Sequence, residues 1–263
     1  MMPYNTFTHA LVRVPTVNMG DGMTTQQLGV PDFDLVLTQH AAYCEALRWC
    51  GLKVATLSGD EAYPDACFVE DTAVIYHDLV VITQPGARSR RGETTAIQQA
   101  FKHRPLVQLH GDEYLEGGDV LFCADRVLIG LSERTNRQGA TRLKNALQDY
   151  DAALQVDFVP VGGVLHLKTG ITELAPGVII QSPDFVTDYT FDFADVYVIP
   201  AAEKNGGHVL PINDAVLIHA GNPRVRDLAH RYYLRVLEIP MSEFEKMDGG
   251  VTCLSLRYAF SGA

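Results

Sequence analysis

The sequence predicts a pseudo-symmetric α/β domain assembled from four or five short repeated units, and three observations predict it. Apolar runs recur as Val80-Val81-Ile82, Val127-Leu128-Ile129-Gly130, Val178-Ile179-Ile180 and Val216-Leu217-Ile218. Each run follows a turn-like segment (His77-Asp78, Ala124-Asp125, Ala175-Pro176-Gly177, Asn213-Asp214) and, ahead of it, another strand-like run, which reads as a hairpin. Three of the runs then lead through a polar turn into a helical stretch.

Those stretches are Thr94 to Lys102, Gly139 to Leu147 and Arg224 to Leu234, with apolar residues at the i, i+3, i+4 spacing of helices packed on one face. The third run is followed by Asp184 to Asp195, which carries no clear helix. A helix over Phe33 to Trp49 and strands near Ala10–Val14, Val54–Leu57 and Val251–Leu256 supply a further unit from both ends of the chain. Units that bury only one face need neighbours, so one domain over 1–263 is expected rather than two independent ones. The uneven repeat spacing leaves an irregular α+β domain as the alternative.

Composition narrows the function. Hydrophobic residues make up 47% and charged residues 20%, as in ordinary globular proteins. No apolar run is long enough to span a membrane, and Met1 to Pro15 has no basic start followed by an apolar stretch, so neither a membrane partner nor a secretory leader is expected. Five cysteines without framework spacing fit free thiols in a reducing cytoplasm. A net charge of -11 argues against nucleic acid and mildly favours a cationic small-molecule substrate. Composition shows no interface, and a homodimer is left open.

Polar clusters stand at the ends of the apolar runs. In Phe68-Val69-Glu70-Asp71, adjacent carboxylates on a strand point to opposite faces, so one acid would point inward and need a cation or donors. At a strand end both would simply be solvated. Glu116-Gly117-Gly118-Asp119 allows close backbone approach, or is a plain tight turn. His166, flanked by Leu165 and Leu167, has the pKa range of a proton shuttle, although a lone histidine on an apolar strand is more often a hydrogen-bonded core residue. Cys253 follows Gly249-Gly250 and can sit at a cleft mouth, whereas Cys44 and Cys50 lie in the expected helix. Arg88, Arg90, Arg91 and Arg134 follow apolar runs, where they either clamp a carboxylate or are solvated. Zinc-ligand spacing, a phosphate-binding glycine loop and Gly-x-Ser-x-Gly are all missing.

In this order the clusters resemble the dimethylarginine dimethylaminohydrolases. The resemblance includes Asp21-Gly22-Met23-Thr24-Thr25, Phe68 to Asp71, Arg88 to Glu93, Leu115 to Asp119, Ser132 to Asn136, Leu165 to Lys168 and Asp248 to Ser255, from about Pro15 onward. It implies a pentein fold, a five-fold pseudo-symmetric α/β propeller of ββαβ-type units. It also implies Cys253 as nucleophile, His166 as general acid and base, and Glu116 as the acid orienting His166. Asp71 would grip the guanidinium, with Glu70 and Asp248 nearby. Arg90 and Arg134 would bind the substrate carboxylate, and Asp65 with the backbone at Met23 would hold its amino group.

The implied reaction converts mono- or asymmetric dimethylarginine to citrulline plus methylamine or dimethylamine through a covalent thiouronium, with no metal or organic cofactor. One departure is Gly206-Gly207-His208-Val209, where the family generally carries an Ala-Ala-Asn-type stretch; an imidazole there either alters the pocket or merely fills space, which leaves the substrate's identity open and not the nucleophile chemistry. The alternatives are an arginine deiminase or an amidinotransferase, usually longer chains; another N-substituted guanidine hydrolase; and a non-catalytic pentein scaffold, which has no reason to keep the whole Cys, His, Glu and Asp set.

Overall fold

In a computed structural model, which describes residues 5–260, the chain forms five three-stranded sheets. The leader and single-domain expectations also touch residues 1–4 and 261–263, which lie outside the described residues. The units run along the chain as β1 (His9–Arg13), α1 (Phe33–Trp49) and β2 (Lys53–Leu57), then β3 (Ala73–Tyr76), β4 (Leu79–Ile82), α2 (Thr94–Ala100) and β5 (Leu106–Gln108). Next come β6 (Val120–Phe122), β7 (Arg126–Leu131), α3 (Arg137–Tyr150) and β8 (Gln155–Pro160), followed by a single helical turn α4 (Leu167–Gly170) with β9 (Ile171–Ala175), β10 (Val178–Gln181) and β11 (Asp195–Val198). The last elements are β12 (Val209–Ile212), β13 (Ala215–His219), α5 (Pro223–Ala229), β14 (Arg235–Ile239), α6 (Ser242–Glu245) and β15 (Leu256–Tyr258).

Each sheet follows one plan. Its middle strand pairs antiparallel with one neighbour and parallel with the strand that follows the crossover. The four runs read from the sequence are the middle strands β4, β7, β10 and β13, apolar because both faces are covered. Three of their four hairpins turn at residues with positive φ, His77 (51°), Gly177 (74°) and Asn213 (55°). The fifth sheet, β15-β1-β2, joins the two ends of the described chain.

Helices fill the space between neighbouring sheets. Asp32 caps α1 by accepting from the Asp34 and Leu35 amides, and the helix buries Val36, Tyr43 and Leu47 against Leu210, Ile212 and Leu217. On α3, capped by Asn136, the residues Ala140, Leu143 and Leu147 pack between strands of two sheets. Complete burial stabilises each such leucine by roughly 1.5–3 kcal/mol. The β10 to β11 connection has no helix, as the sequence predicts. Phe185, Tyr189, Phe191 and Phe193 take its place over Leu128, Val159 and Ile179, with the Phe191 ring centroid 5.0–6.4 Å from each of the other three.

Three local expectations need correcting. The strand expected over Val251–Leu256 starts only at Leu256, because the Cys253 amide bonds back to the Gly250 carbonyl and closes a turn. The Glu70-Asp71 pair lies on a 3-10 turn, Val69–Thr72, rather than on a strand. His166 is not on a strand either; it stands at the N-terminal cap of α4. No helix among the described residues is long and apolar enough to cross a membrane.

Candidate active site

The repeat decides where the polar residues gather. Asp71, Glu116, His166, His208 and Cys253 each lie within five residues of the start of β3, β6, β9, β12 and β15, the first strand of each unit. Five equivalent loop positions are thus brought to one end of the molecule. Of these residues, Asp71, Glu116, His166 and Cys253 line one cleft, together with Met23, Asp65, Arg90, Arg134 and Asp248.

The centre is a buried ionic network. His166 Nε2 lies 2.8 Å from Glu116 Oε2, and Glu116 is fully buried. Burial alone would lower the His166 pKa, but the Asp71 charge, the Glu116 hydrogen bond and Asp119 outweigh it and raise it to about 9. His166 is therefore an imidazolium at neutral pH. Asp71 accepts from the Gly118 amide at 2.9 Å and from Arg90 Nη1 at 2.6 Å. Burial pushes its carboxyl up, yet Arg90 and His166 pull harder and bring it to about 2.

Gly118 fits because a Cβ there would meet His166 Nδ1 at 2.7 Å and Asp71 Oδ1 at 3.0 Å. Asp119, fully buried, accepts from the Leu167 amide at 2.8 Å and from Ser132 Oγ at 2.7 Å. It thereby fixes the turn on which His166 stands. Sequence reasoning placed Asp119 in a motif without giving it a role; the signal available was the Gly-Gly pair bracketed by two acids.

Cys253 sits on the turn before β15, its sulfur 3.4 Å from the Gly250 amide and 3.7 Å from Thr252 Oγ1. Burial and the nearby Glu70 and Asp71 charges push its thiol up to about 12. The cleft thus holds a neutral thiol together with an imidazolium. Cys44, Cys50, Cys67 and Cys123 are free and buried.

The remaining expected residues divide. Asp65 receives the Met23 amide at 3.2 Å, and burial raises its pKa against the pull of Arg90. Asp248 accepts from the Thr25 amide at 2.6 Å, from Thr25 Oγ1 at 2.7 Å and from Gln26 Nε2 at 2.7 Å, so it anchors the 22–26 loop over the cleft. Arg134 stands with Nη1 3.7 Å from Glu116 Oε1, partly exposed.

Arg90 and Glu70 are placed differently from what the sequence suggests. Arg90 is buried and directs its guanidinium to Asp71, to both oxygens of Glu93 and to the Asp65 and Phe68 carbonyls. It is not a free clamp here, because three acids surround it. Glu70 points away from the cleft, with Oε1 2.6 Å from Lys168 Nζ and 2.9 Å from Arg257 Nη2. It lines a separate cavity of about 670 Å³ walled by β3, β6, β9, β12 and β15. Asp71, Glu116 and His166 have ligand atoms close enough to hold a cation, but Arg90 already supplies a positive charge to Asp71.

Known proteins are similar to this chain in sequence and fold. Residues 32–190 match the family described as N,N dimethylarginine dimethylhydrolase, eukaryotic. A Pseudomonas aeruginosa dimethylarginine dimethylaminohydrolase is 36% identical over 255 residues, covering 96% of this chain and 100% of that one. The chain belongs to the dimethylarginine dimethylaminohydrolase family.

A second dimethylarginine dimethylaminohydrolase, from Streptomyces coelicolor, is 34% identical over 94% of this chain and 96% of its own length. The Pseudomonas dimethylarginine dimethylaminohydrolase, solved as a Cys-to-Ser mutant complexed with citrulline, aligns with a TM-score of 0.91 over 96% of this chain and 100% of that one, at 36% identity. The N-terminal domain of the arginine dihydrolase ArgZ shares the fold, with a TM-score of 0.83 at 16% identity over 96% of this chain and 98% of that one. The five-unit pentein architecture expected of a dimethylarginine dimethylaminohydrolase is therefore what this chain adopts.

Proposed function

We propose that this protein hydrolyses N-ω-methylated arginine, mono- or asymmetric dimethyl, to citrulline and methylamine or dimethylamine, with Cys253 as nucleophile. The observation that carries the reading is the convergence of Cys253, the His166–Glu116 pair and Asp71 on one cleft. A guanidinium is a resonance-stabilised cation, and its central carbon resists attack until a carboxylate fixes it. Asp71, ionised well below neutral pH, supplies that grip.

The arriving cation offsets the Glu70 and Asp71 charges that hold the thiol neutral, so Cys253 loses its proton to solvent as substrate binds. The thiolate sulfur then bonds to the guanidinium carbon. Imidazolium His166 protonates the methylated nitrogen, the C–N bond breaks, and the amine leaves a Cys253 thiouronium. Neutral His166 next takes a proton from water, whose oxygen attacks the same carbon. Collapse breaks the C–S bond and the hydroxyl proton passes to solvent, releasing citrulline and the thiolate. Arg134 binds the substrate carboxylate, and Asp65 with the Met23 backbone holds the amino group. Arg90 adds a donor to that carboxylate only by releasing one of its internal acids.

Two solved relatives support these roles: the citrulline complex of the Cys-to-Ser mutant, and a His-to-Gly dimethylarginine dimethylaminohydrolase carrying an S-methyl-L-thiocitrulline adduct. The replaced residues of those structures are numbered as far apart as Cys253 and His166. In this reading the chain is one catalytic domain acting in arginine metabolism in the cytoplasm, and the chemistry calls for no metal or organic cofactor. The test is citrulline release from arginine, monomethylarginine, asymmetric dimethylarginine and agmatine, measured side by side. Preference for the methylated amino acids is expected; preference for arginine would make the protein a deiminase.

A further inference from the structure

Four of the five equivalent loop positions supply Asp71, Glu116, His166 and Cys253, and the fourth unit supplies His208, which has no part in the reaction above. His208 is buried, directly before β12, and does not line the cleft. It lies beneath the nucleophile's turn instead. Its Nδ1 is 3.5 Å from Thr252 Oγ1, and that hydroxyl is 3.7 Å from Cys253 Sγ. Its ring also packs so closely on Gly250 that a Cβ there would meet it at 2.4 Å. The Gly250 amide is the other donor facing the Cys253 sulfur.

We infer that His208 is a positioning residue for the nucleophile, holding the Thr252 hydroxyl and the Gly250 amide toward the Cys253 sulfur so that both stabilise the thiolate. The inference rests on Cys253 being the nucleophile, as proposed above. The chain of donors needs a neutral imidazole with its proton on Nδ1: Nδ1–H donates to Thr252 Oγ1, and the Thr252 hydroxyl donates to sulfur. The surroundings keep the ring neutral. Burial, with the positive side of His219, Lys168 and His166 outweighing Asp248, lowers the His208 pKa to about 3. The nearby charges of Glu70 and Asp71 work against the thiolate, and the donors hydrogen-bonded to the sulfur are the Gly250 amide and the Thr252 hydroxyl. Thr252 is held from the other side by Arg257, whose Nη1 donates to the Thr252 carbonyl at 2.9 Å. The hydroxyl is thus fixed at both ends of its residue.

The test measures alkylation of Cys253 in the full chain by iodoacetamide, a neutral reagent, at one alkaline pH, scored by peptide mass spectrometry. It needs no substrate and no turnover, so it reads the thiolate even if no citrulline forms from any guanidine. Thr252→Val, which keeps the shape and removes the hydroxyl, should slow alkylation about tenfold, the effect of raising the thiol pKa by one unit. Thr252→Ser should restore the rate. His208→Ala should slow the reaction similarly, and adding it to Thr252→Val should cost little more, since both break one chain of donors. Equal rates for Thr252→Val and Thr252→Ser would overturn the inference. So would fully additive losses in the double variant, which mark His208 as a packing residue only. Should His208→Ala fail to fold, the Val and Ser pair at Thr252 decides alone.

Discussion

Glu70 and Asp71 are neighbours in the chain and face two different interiors. Asp71 opens on a tight cleft crowded with ionised groups; Glu70 opens on the roomy axial cavity, tied to Lys168 and Arg257. Both carboxylates are buried and both meet cations, yet they stand in different relations to chemistry. In the cleft the charges are unequal and leave a place for an incoming cation beside a thiol. On the axis Glu70 Oε1 is shared by Lys168 and Arg257, and Arg257 also braces the Cys253 turn through the Thr252 and Ser255 carbonyls. The difference teaches that volume does not mark the reactive site. Confinement of opposed ionisable groups does, because there each pKa depends on its neighbours.

The comparison can be broken in several places. The largest effect is expected from Cys253→Ser, which should lower kcat by more than about a thousandfold while the fold persists; residual turnover near wild type would remove the nucleophile from this cleft. Next is the pair of neighbours. Asp71→Asn should reduce kcat/KM about a hundredfold or more. Glu70→Gln should instead destabilise the protein by about 3 kcal/mol, since Lys168 and Arg257 lose their shared acid. Denaturant unfolding and steady-state kinetics on the two variants would collapse the distinction if the effects were reversed.

Glu116→Gln comes third. Without the Glu116 charge the His166 pKa falls from about 9, and the alkaline limb of the pH–rate profile should move down by about one unit. An unmoved limb would separate His166 from it. The smallest effect concerns acid stability. Asp71 is held at about 2 against an ordinary 3.8, so its contribution is present above 3.8 and is lost as pH falls toward 2. Unfolding free energies of the protein should decline through that window, and Asp71→Asn should flatten the decline.

Much of the fold is legible in the sequence, because it depends on local patterns. Middle strands covered on both faces must be continuously apolar, as Val80-Val81-Ile82 and Val216-Leu217-Ile218 are. The helix at Phe33–Trp49 appears with the expected bounds. The missing helix after β10 is also legible, although nothing local says that aromatic rings would fill its place. The cleft members came from the family resemblance, and the structure brings nine of the ten together. What local pattern hides is direction and commitment. Glu70 and Asp71 look interchangeable until Lys168 on α4 and Arg257 on β15 approach from distant parts of the chain. Arg90 looks free until Asp71 and Glu93 fold around it. Val251 to Leu256 reads like a strand in sequence, but the Gly250 carbonyl captures the Cys253 amide.

The seam between β15 and β1 adds a practical consequence. Cys253 is three residues ahead of that seam, which like the β4–β5 and β6–β7 ladders holds only three paired positions, whereas β7 and β8 are zipped over six. A short ladder frays before a long one. Activity is therefore an early alarm of damage to this molecule: on warming, turnover should fade while circular dichroism still reports much of the strand content. A thermal half-life measured by enzyme assay would time the parting of one seam rather than the melting of the whole protein.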